Sequence, residues 1–145
     1  MSHLYYKDAL KLGQKEFRSC TSKGQYPYLL ALEDFVPAER INQGVDLGTI
    51  QIPMEFIVGG RGKVLARNFM PLVEEDSEFA DKWKNLCQAH LEEGIRDPVK
   101  VYEYLNRFYV EEGNKRVSVL KYFGAPKVYA SVTRILPQRG GSEEV

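Results

Sequence analysis

The chain has 145 residues, of which 43% are hydrophobic, 12% aromatic and 28% charged. A chain of this length and composition can bury a core without disulfides or metal, which excludes the disordered, collagen-like and disulfide-stapled classes. Its two cysteines, Cys20 and Cys87, lie far apart in otherwise apolar or helical patterns, as expected in a reducing compartment. No run approaches the roughly 18 apolar residues of a membrane span, and the N-terminus lacks a signal-peptide pattern. We therefore expect a cytoplasmic domain without membrane contact.

Charge is balanced over the chain but unevenly distributed. Twenty basic residues offset twenty acidic ones, so the chain lacks the strong positive field that marks most proteins that bind duplex DNA. DNA stays open as a partner but is not favoured. From Gly113 to Ser142 every charged side chain is basic, whereas residues 74–93 are mostly acidic. A local anion site is compatible with zero net charge.

The N-terminal half contains two predicted helices and one predicted strand. Apolar residues recur at helical spacing over residues 3–22, which predicts an amphipathic helix. The apolar stretch 26–35 predicts a second helix that Pro37 ends. Residues 48–58 combine β-branched side chains with a central proline, the pattern of an edge strand running into a turn. Residues 59–62, with three glycines around one arginine, are expected to form a flexible loop.

The second half alternates short elements. Ser77 is the predicted N-cap of a helix that Gly94 ends. His90 on this helix has no second His or Cys at ligand spacing, so we expect no metal site. Residues 99–104 and 108–111 alternate like two strands of a hairpin.

After the hairpin the sequence predicts a turn, a helix, a strand and a tail. Glu112-Gly113-Asn114 forms the tight turn, and the helix runs over residues 115–123 before Gly124 ends it. A last strand spans residues 127–136, and residues 138–145 have the composition of a flexible tail or linker.

The turn that opens the last helix is the candidate site. A strand that ends in glycine and runs directly into a helix leaves the first helical amides unpaired at the positive end of the helix dipole. Lys115 and Arg116 add positive charge where it disfavours the helix, so a bound phosphate would relieve the conflict. We therefore predict that Gly113, Asn114, Lys115 and Arg116 bind a phosphate. The alternative is that both cations are solvated surface side chains.

Two carboxylates directly precede this turn. If the site carries out phosphoryl chemistry, it needs a carboxylate near the turn as base or metal ligand, and Glu111 and Glu112 are the candidate catalytic residues. Neighbouring residues on a strand face opposite sides, so only one of the two can serve the site. The alternative is a pair of solvated carboxylates at a strand end.

A family resemblance rests on the order of these elements and on two stretches, Gly-Ile-Arg-Asp-Pro-Val-Lys-Val at 94–101 and Tyr-Val-Glu-Glu-Gly-Asn-Lys-Arg-Val-Ser-Val-Leu-Lys-Tyr-Phe-Gly at 109–124. They resemble the N-terminal domain of ParB proteins and the sulfiredoxin-like superfamily, in which a Gly-x-x-Arg turn opens a helix and holds nucleotide phosphates. The resemblance covers roughly residues 47–137. It implies an α+β fold, a small mixed sheet with packed helices, preceded by an N-terminal helical extension over residues 1–46.

The same resemblance implies a function. It suggests a nucleotide- or phosphate-binding regulatory or interaction domain, in which Arg61 or Arg67 represents an early ParB arginine and contacts the ligand. Relatives in this superfamily include phosphotransferases and nucleases, which would imply a nucleoside triphosphate with Mg²⁺ and Glu111 or Glu112 as base. A nucleic-acid-binding module is a further alternative.

Departures from the family pattern narrow these expectations. Where sulfiredoxin has its catalytic cysteine this chain has Asn114, and a carboxamide cannot act as a thiolate nucleophile. ParB segregation proteins carry two adjacent arginines and a following helix-turn-helix domain, whereas here the pair is Lys115-Arg116, so centromere binding is not expected. The whole chain also resembles the N-terminal region of long bacterial proteins of the BMP family of ABC transporter substrate-binding proteins. That resemblance implies a downstream domain as partner.

Overall fold

The computed structural model describes residues 2–62 and 66–137. Within these residues the chain forms helices separated by short strands, with 3-10 turns at Leu32–Asp34 and Met54–Phe56. The helices are α1 (Ser2–Ser22), α2 (Ala38–Ile41), α3 (Glu78–Glu92) and α4 (Asn114–Tyr122). The strands are β1 (Leu30–Ala31), β2 (Val45–Pro53), β3 (Ile57–Gly60), β4 (Ala66–Arg67), β5 (Met70–Pro71), β6 (Val99–Tyr104), β7 (Arg107–Glu112) and β8 (Lys127–Arg134).

A six-stranded mixed sheet in the order β1-β3-β7-β6-β8-β2 is the centre of the fold, and β4 and β5 form a separate pair. The strands β1, β3 and β7 are parallel neighbours, while β6 is antiparallel to β7. The strand β8 runs parallel to β6, and β2 pairs antiparallel with β8 as the far edge of the sheet. This arrangement confirms the predicted α+β class with a small mixed sheet, packed helices and an N-terminal helix.

Helix α4 lies between the sheet and an outer helical layer. Val117 belongs to the core cluster on the sheet, with Val101 and Val110 among its members. Two residues on, Val119 belongs to a different cluster, which α1 and α3 complete with side chains that include Trp83. Between them the buried Ser118 accepts a hydrogen bond from the Trp83 indole, with 2.9 Å between Nε1 and Oγ. Both sides of α4 are therefore buried, which fixes its position on the sheet.

The opposite face of the sheet is covered by the chain that follows β1. Leu32, Val36 and Ile41 pack there against Tyr109 of β7. Because side chains alternate along a strand, Tyr109 and Val110 mark the two faces of β7. This alternation places Glu111 on the face opposite α4.

Two local predictions are wrong. Residues 26–35 form no α-helix but only the 3-10 turn at Leu32–Asp34, because Pro27 favours extended backbone before it and β1 pairs with Gly59 and Gly60 of β3. Those two glycines lie inside a strand, not in a loop. A Cβ on Gly59 would lie 2.1 Å from the Leu30 carbonyl oxygen, so the close approach of β1 requires glycine there.

The other predicted elements are confirmed. The helix over residues 3–22, the helix capped by Ser77, the hairpin of β6 and β7, the helix after Gly113 and the last strand all form, and β2 is an edge strand. The boundary between residues 1–46 and 47–137 stays a prediction, although β1 joins the first segment to the sheet of the second. The tail predicted at 138–145 lies outside the described residues.

Candidate functional site at the start of helix α4

Three neighbouring parallel strands have their carboxyl ends on the same side of the sheet, here called the carboxyl edge. Since β1, β3 and β7 run in the same direction, their carboxyl ends lie together. Ligands in open sheets flanked by helices commonly bind outside the carboxyl ends of parallel strands. Arg61 follows β3 at this edge, and Gly113 links β7 to α4 there.

Gly113 adopts a backbone conformation that no other residue could take at low cost. Its φ of 113° and ψ of 23° are left-handed, and an added Cβ would lie 2.6 Å from Cγ1 of Val99. The Val117 amide donates to the Gly113 carbonyl over 2.9 Å, which starts the hydrogen bonding of α4. The three amides of residues 114–116 have no acceptor within the helix. The N-cap residue, Gly113, has no side chain that could cap this end, and no acidic residue lies in the first turn.

Arg116 is held beside the turn by backbone carbonyls. Its Nη1 donates to the carbonyl oxygens of Pro98 and Asp97, at 2.9 and 3.3 Å. Its Nη2 lies 3.3 Å from the position that a Cβ on Gly113 would occupy. The guanidinium is thus fixed next to the glycine, and a guanidinium has five N–H groups to share between these carbonyls and a ligand.

The two residues between Gly113 and Arg116 differ in their surroundings. The Lys115 ammonium lies 5.1 Å from the centre of the Phe79 ring, a cation–π distance, which directs it toward the first turn of α3. The Asn114 Oδ1 is buried and has no hydrogen-bond partner among the described residues. A buried polar atom without a partner costs about 1–3 kcal/mol and calls for a ligand or water that completes it.

Arg61 and Glu111, which the sequence assigns to different roles, form one ion pair. Arg61 lies 2.6 Å from Glu111 through Nη1 and 2.6 Å from Glu33 through Nε. The Gly62 amide donates to the same Glu33 carboxylate over 2.8 Å. Burial raises the pKa of Glu33, but the hydrogen bonds from Gly62 and Arg61 outweigh it and leave that pKa below its ordinary value. The hydrogen bond to Glu33 in turn raises the pKa of Arg61.

The ion-paired cluster of Arg61, Glu33 and Glu111 lies on the sheet face opposite α4. The Arg61 guanidinium stands 5.5 Å from the ring centre of Tyr102, which packs on that face. Glu111 is therefore occupied by a cation, while Glu112 is exposed at the strand end. The catalytic role assigned to these two glutamates stays a prediction.

Arg67 lies neither at the Gly113 turn nor in the ion-paired cluster. It lies on β4, where its Nε is 4.0 Å from a Glu16 carboxylate oxygen, and it lines a cavity together with Lys121. Lys121 follows Asn114 by seven residues, which corresponds to about 10 Å along the helix axis. The structure therefore brings Gly113, Asn114 and Arg116 together but places Arg61 and Arg67 elsewhere. Sequence patterns gave no sign of Glu33 or of the Asp97 and Pro98 carbonyls, because only the fold brings them near.

Residues 2–62 and 66–137 contain neither a membrane-spanning helix nor a group of side chains that could hold a metal. No helix in these ranges is long and apolar enough to cross a membrane. In the same part of the chain, no three His, Cys, Asp or Glu side chains come together in a way that could hold a metal ion.

Comparison with known proteins gives little additional information. No family model matches the chain, and no curated protein matches it. Among solved structures, the crystal structure of sulfiredoxin from Arabidopsis thaliana is similar, with 21% identity, 59% of this chain and 84% of that chain covered, and a TM-score of 0.43. This similarity is too weak to assign a family or a function. The resemblance to BMP-family proteins has no support in these comparisons.

The backbone at Gly113 makes a stability prediction. Gly113→Ala and Gly124→Ala both place a side chain at positive φ, at 113° and 82°, but only the first creates a clash, with Val99. Left-handed backbone costs each variant about 1–2 kcal/mol, and the clash adds about 1–3 kcal/mol to the first. Urea unfolding followed by the fluorescence of Trp83, the single tryptophan, measures both. Equal losses of unfolding free energy would show that the space beside Val99 does not matter.

The ion-paired cluster makes a prediction about pH. Because the pKa of Glu33 is lowered in the folded state, its contribution to stability is present above the ordinary glutamate pKa of about 4.3 and disappears as the pH falls through the lowered value. The contribution is at most about 1 kcal/mol, since the Glu33 side chain is 38% exposed. We expect the difference in unfolding free energy between wild type and Glu33→Gln to be constant near neutral pH and to shrink below pH 4.3. If the unfolding free energies of wild type and Glu33→Gln differ by the same amount down to low pH, the prediction is contradicted.

Proposed function

We propose that this chain is a nucleotide- or phosphate-binding regulatory or interaction domain whose ligand phosphate binds at the start of α4. The observation that carries the proposal is the first turn of α4, which has neither a side-chain cap nor an acidic residue while Arg116 is fixed beside its glycine. The amides of residues 114–116 are the donors that a phosphate oxygen would accept from.

Electrostatics favour an anion at this point. The start of a helix carries about half a positive elementary charge, and the Lys115 and Arg116 side chains add to it, which disfavours the helix. A phosphate would turn this repulsion into attraction, and Nη2 of Arg116 would add a charge-assisted hydrogen bond. The Pro98 and Asp97 carbonyls hold the guanidinium in place, so little side-chain entropy would be lost on binding.

Asn114 fits the same ligand in one of its two orientations. The two ends of a carboxamide are nearly identical in shape, so rotation by 180° exchanges Oδ1 for the NH₂ group. After this rotation, the NH₂ group takes the place of the Oδ1 atom that has no partner among the described residues. The side chain can then donate a hydrogen bond to a phosphate oxygen.

The position of α4 supports a regulatory role. Its first turn contacts α3 through Lys115 and Phe79, and its last turn contacts α1 through Tyr122, whose hydroxyl donates to Asp8 over 2.7 Å. A ligand that binds more tightly to one position of α4 would shift the populations of the attached helices or of a partner domain by that difference in affinity.

The enzyme alternative has less support. A phosphotransferase or nuclease would need Glu111 or Glu112 free near the phosphate. Glu111 is paired with Arg61 on the other sheet face, which leaves the exposed Glu112 as the one candidate base of this pair. The described residues offer no carboxylate cluster for Mg²⁺, so a metal would have to arrive with the nucleoside triphosphate. A DNA-binding module is disfavoured by the zero net charge.

The substitution Asn114→Asp tests the proposal because it places a carboxylate in the first turn of α4. This carboxylate would repel a phosphate at the same point, and the helix dipole, worth about 0.3–1 kcal/mol, offsets only part of the cost of burying an oxygen that has no partner among the described residues. Calorimetric titration with CTP, ATP, GTP and inorganic pyrophosphate, each with and without Mg²⁺, should show binding of at least one to wild type. Asn114→Asp should weaken that binding at least tenfold.

The control is Asn42→Asp, which adds the same charge at an exposed position after α2. This variant should bind like wild type. No heat from any of the four compounds, or equal binding by wild type and Asn114→Asp, would contradict the proposal.

A further inference from the structure

A cavity of about 250 Å³ lies beside the far end of α4, away from the Gly113 turn. Its walls combine two cations, Arg67 and Lys121, with the rings of Tyr26 and Tyr28. The apolar side chains of Leu29 and Ile57 complete the wall near the sheet. Cations, aromatic rings and apolar side chains in one concave site are the usual components of a small-molecule site.

Arg67 has a donor that nothing in the described chain satisfies. Its Nε is buried and makes no hydrogen bond among the described residues. The Glu16 carboxylate, at 4.0 Å, is close enough to attract the charge but too far to accept the hydrogen. A buried N–H without an acceptor is costly, so an acceptor from outside the chain would stabilise this arrangement.

Lys121 lies in the same cavity and has donors to spare. Its Nζ donates to Oδ1 of Asn68 and stands 5.9 Å from the ring centre of Phe69. Burial lowers the pKa of Lys121, and the nearby Arg67 lowers it further, while Glu16 acts in the opposite direction. An ammonium has three donors, so at least one is left for a ligand. Two partly desolvated cations in one cavity favour an anion between them.

The cavity also contains features that select the body of the ligand. The Tyr26 and Tyr28 rings lie with their centres 5.8 Å apart, and Tyr26 is 57% exposed. Such rings bind flat apolar or aromatic groups. Glu55 lines the same cavity, so its charge is not uniformly positive, and a ligand that is anionic only at one end fits better than a polyanion.

We propose that this cavity is a second anion site, in which Arg67 and Lys121 bind the phosphate of a small phosphomonoester and Tyr26 and Tyr28 contact its aromatic body. A phosphate matches two adjacent cations because it carries close to two negative charges and has several acceptor oxygens. This site is independent of the proposed function, since it shares no residue with the turn at Gly113.

Phenyl phosphate is a suitable probe, and the Nε–Hε signal of Arg67 in a ¹H–¹⁵N spectrum is a direct readout. We expect a saturable change in this signal, because the ligand supplies the missing acceptor. Arg67→Met and Lys121→Met should each weaken the binding at least tenfold. Asn114→Asp should leave it unchanged, which separates this site from the start of α4.

Two further variants guard against misinterpretation. Arg18→Met removes an exposed arginine of α1 outside the cavity and should bind phenyl phosphate like wild type. Tyr26→Ser alters an exposed residue without a core role, so it tests the site even if Arg67→Met does not fold. This variant should weaken the binding of phenyl phosphate at least threefold. The binding of inorganic phosphate, which is the weaker ligand, should be unaffected.

The proposal is overturned if phenyl phosphate moves only the amides of residues 114–116, or if Arg67→Met binds it as tightly as wild type. It is also overturned if inorganic phosphate binds as tightly as phenyl phosphate, or if Tyr26→Ser binds both as wild type does.

Discussion

The left-handed backbone of Gly113 against Val99 is the constraint on which the fold and the candidate site both depend. It turns the chain from β7 directly into α4, and Val99 leaves no room there for a side chain. Arg116 then ties the start of α4 to the chain before β6. From that anchored start, α4 packs on the sheet through Val117 and on the outer helices through Val119. The same backbone leaves three amides without helical acceptors, so the turn that builds the core is also where we propose that an anion binds.

The arginines that the sequence grouped around one ligand have different surroundings. Arg61 is neutralised by Glu33 and Glu111 at the same sheet edge, which suits a structural ion pair better than a phosphate clamp. Arg67 lies near the other end of α4, and its Nε has no hydrogen-bond partner among the described residues. Only Arg116 is fixed beside the turn. Position, not charge alone, therefore decides which arginine can meet a ligand at the start of α4.

Local signals in the sequence predicted most of the fold. Ser77 caps α3 through its Oγ, which accepts from the Ala80 amide over 3.1 Å, and Gly124 ends α4 at a φ of 82°. The errors arose where distant segments meet. The strand β1 has two residues, and its approach to β3 requires the missing side chain of Gly59. The bonds of Arg61 to Glu33 and Glu111 span 28 and 50 residues, a separation at which no local pattern can predict a pair.

The most direct test of the central claim is a ¹H–¹⁵N titration of the wild-type chain with inorganic pyrophosphate, because this probe requires no choice of nucleotide. If the start of α4 holds the phosphate, the largest and saturable shifts will be those of the Asn114, Lys115 and Arg116 amides, together with the Arg116 side chain. If these signals stay unchanged up to millimolar pyrophosphate, or if the largest shifts occur elsewhere, the anion site at the Gly113 turn is contradicted.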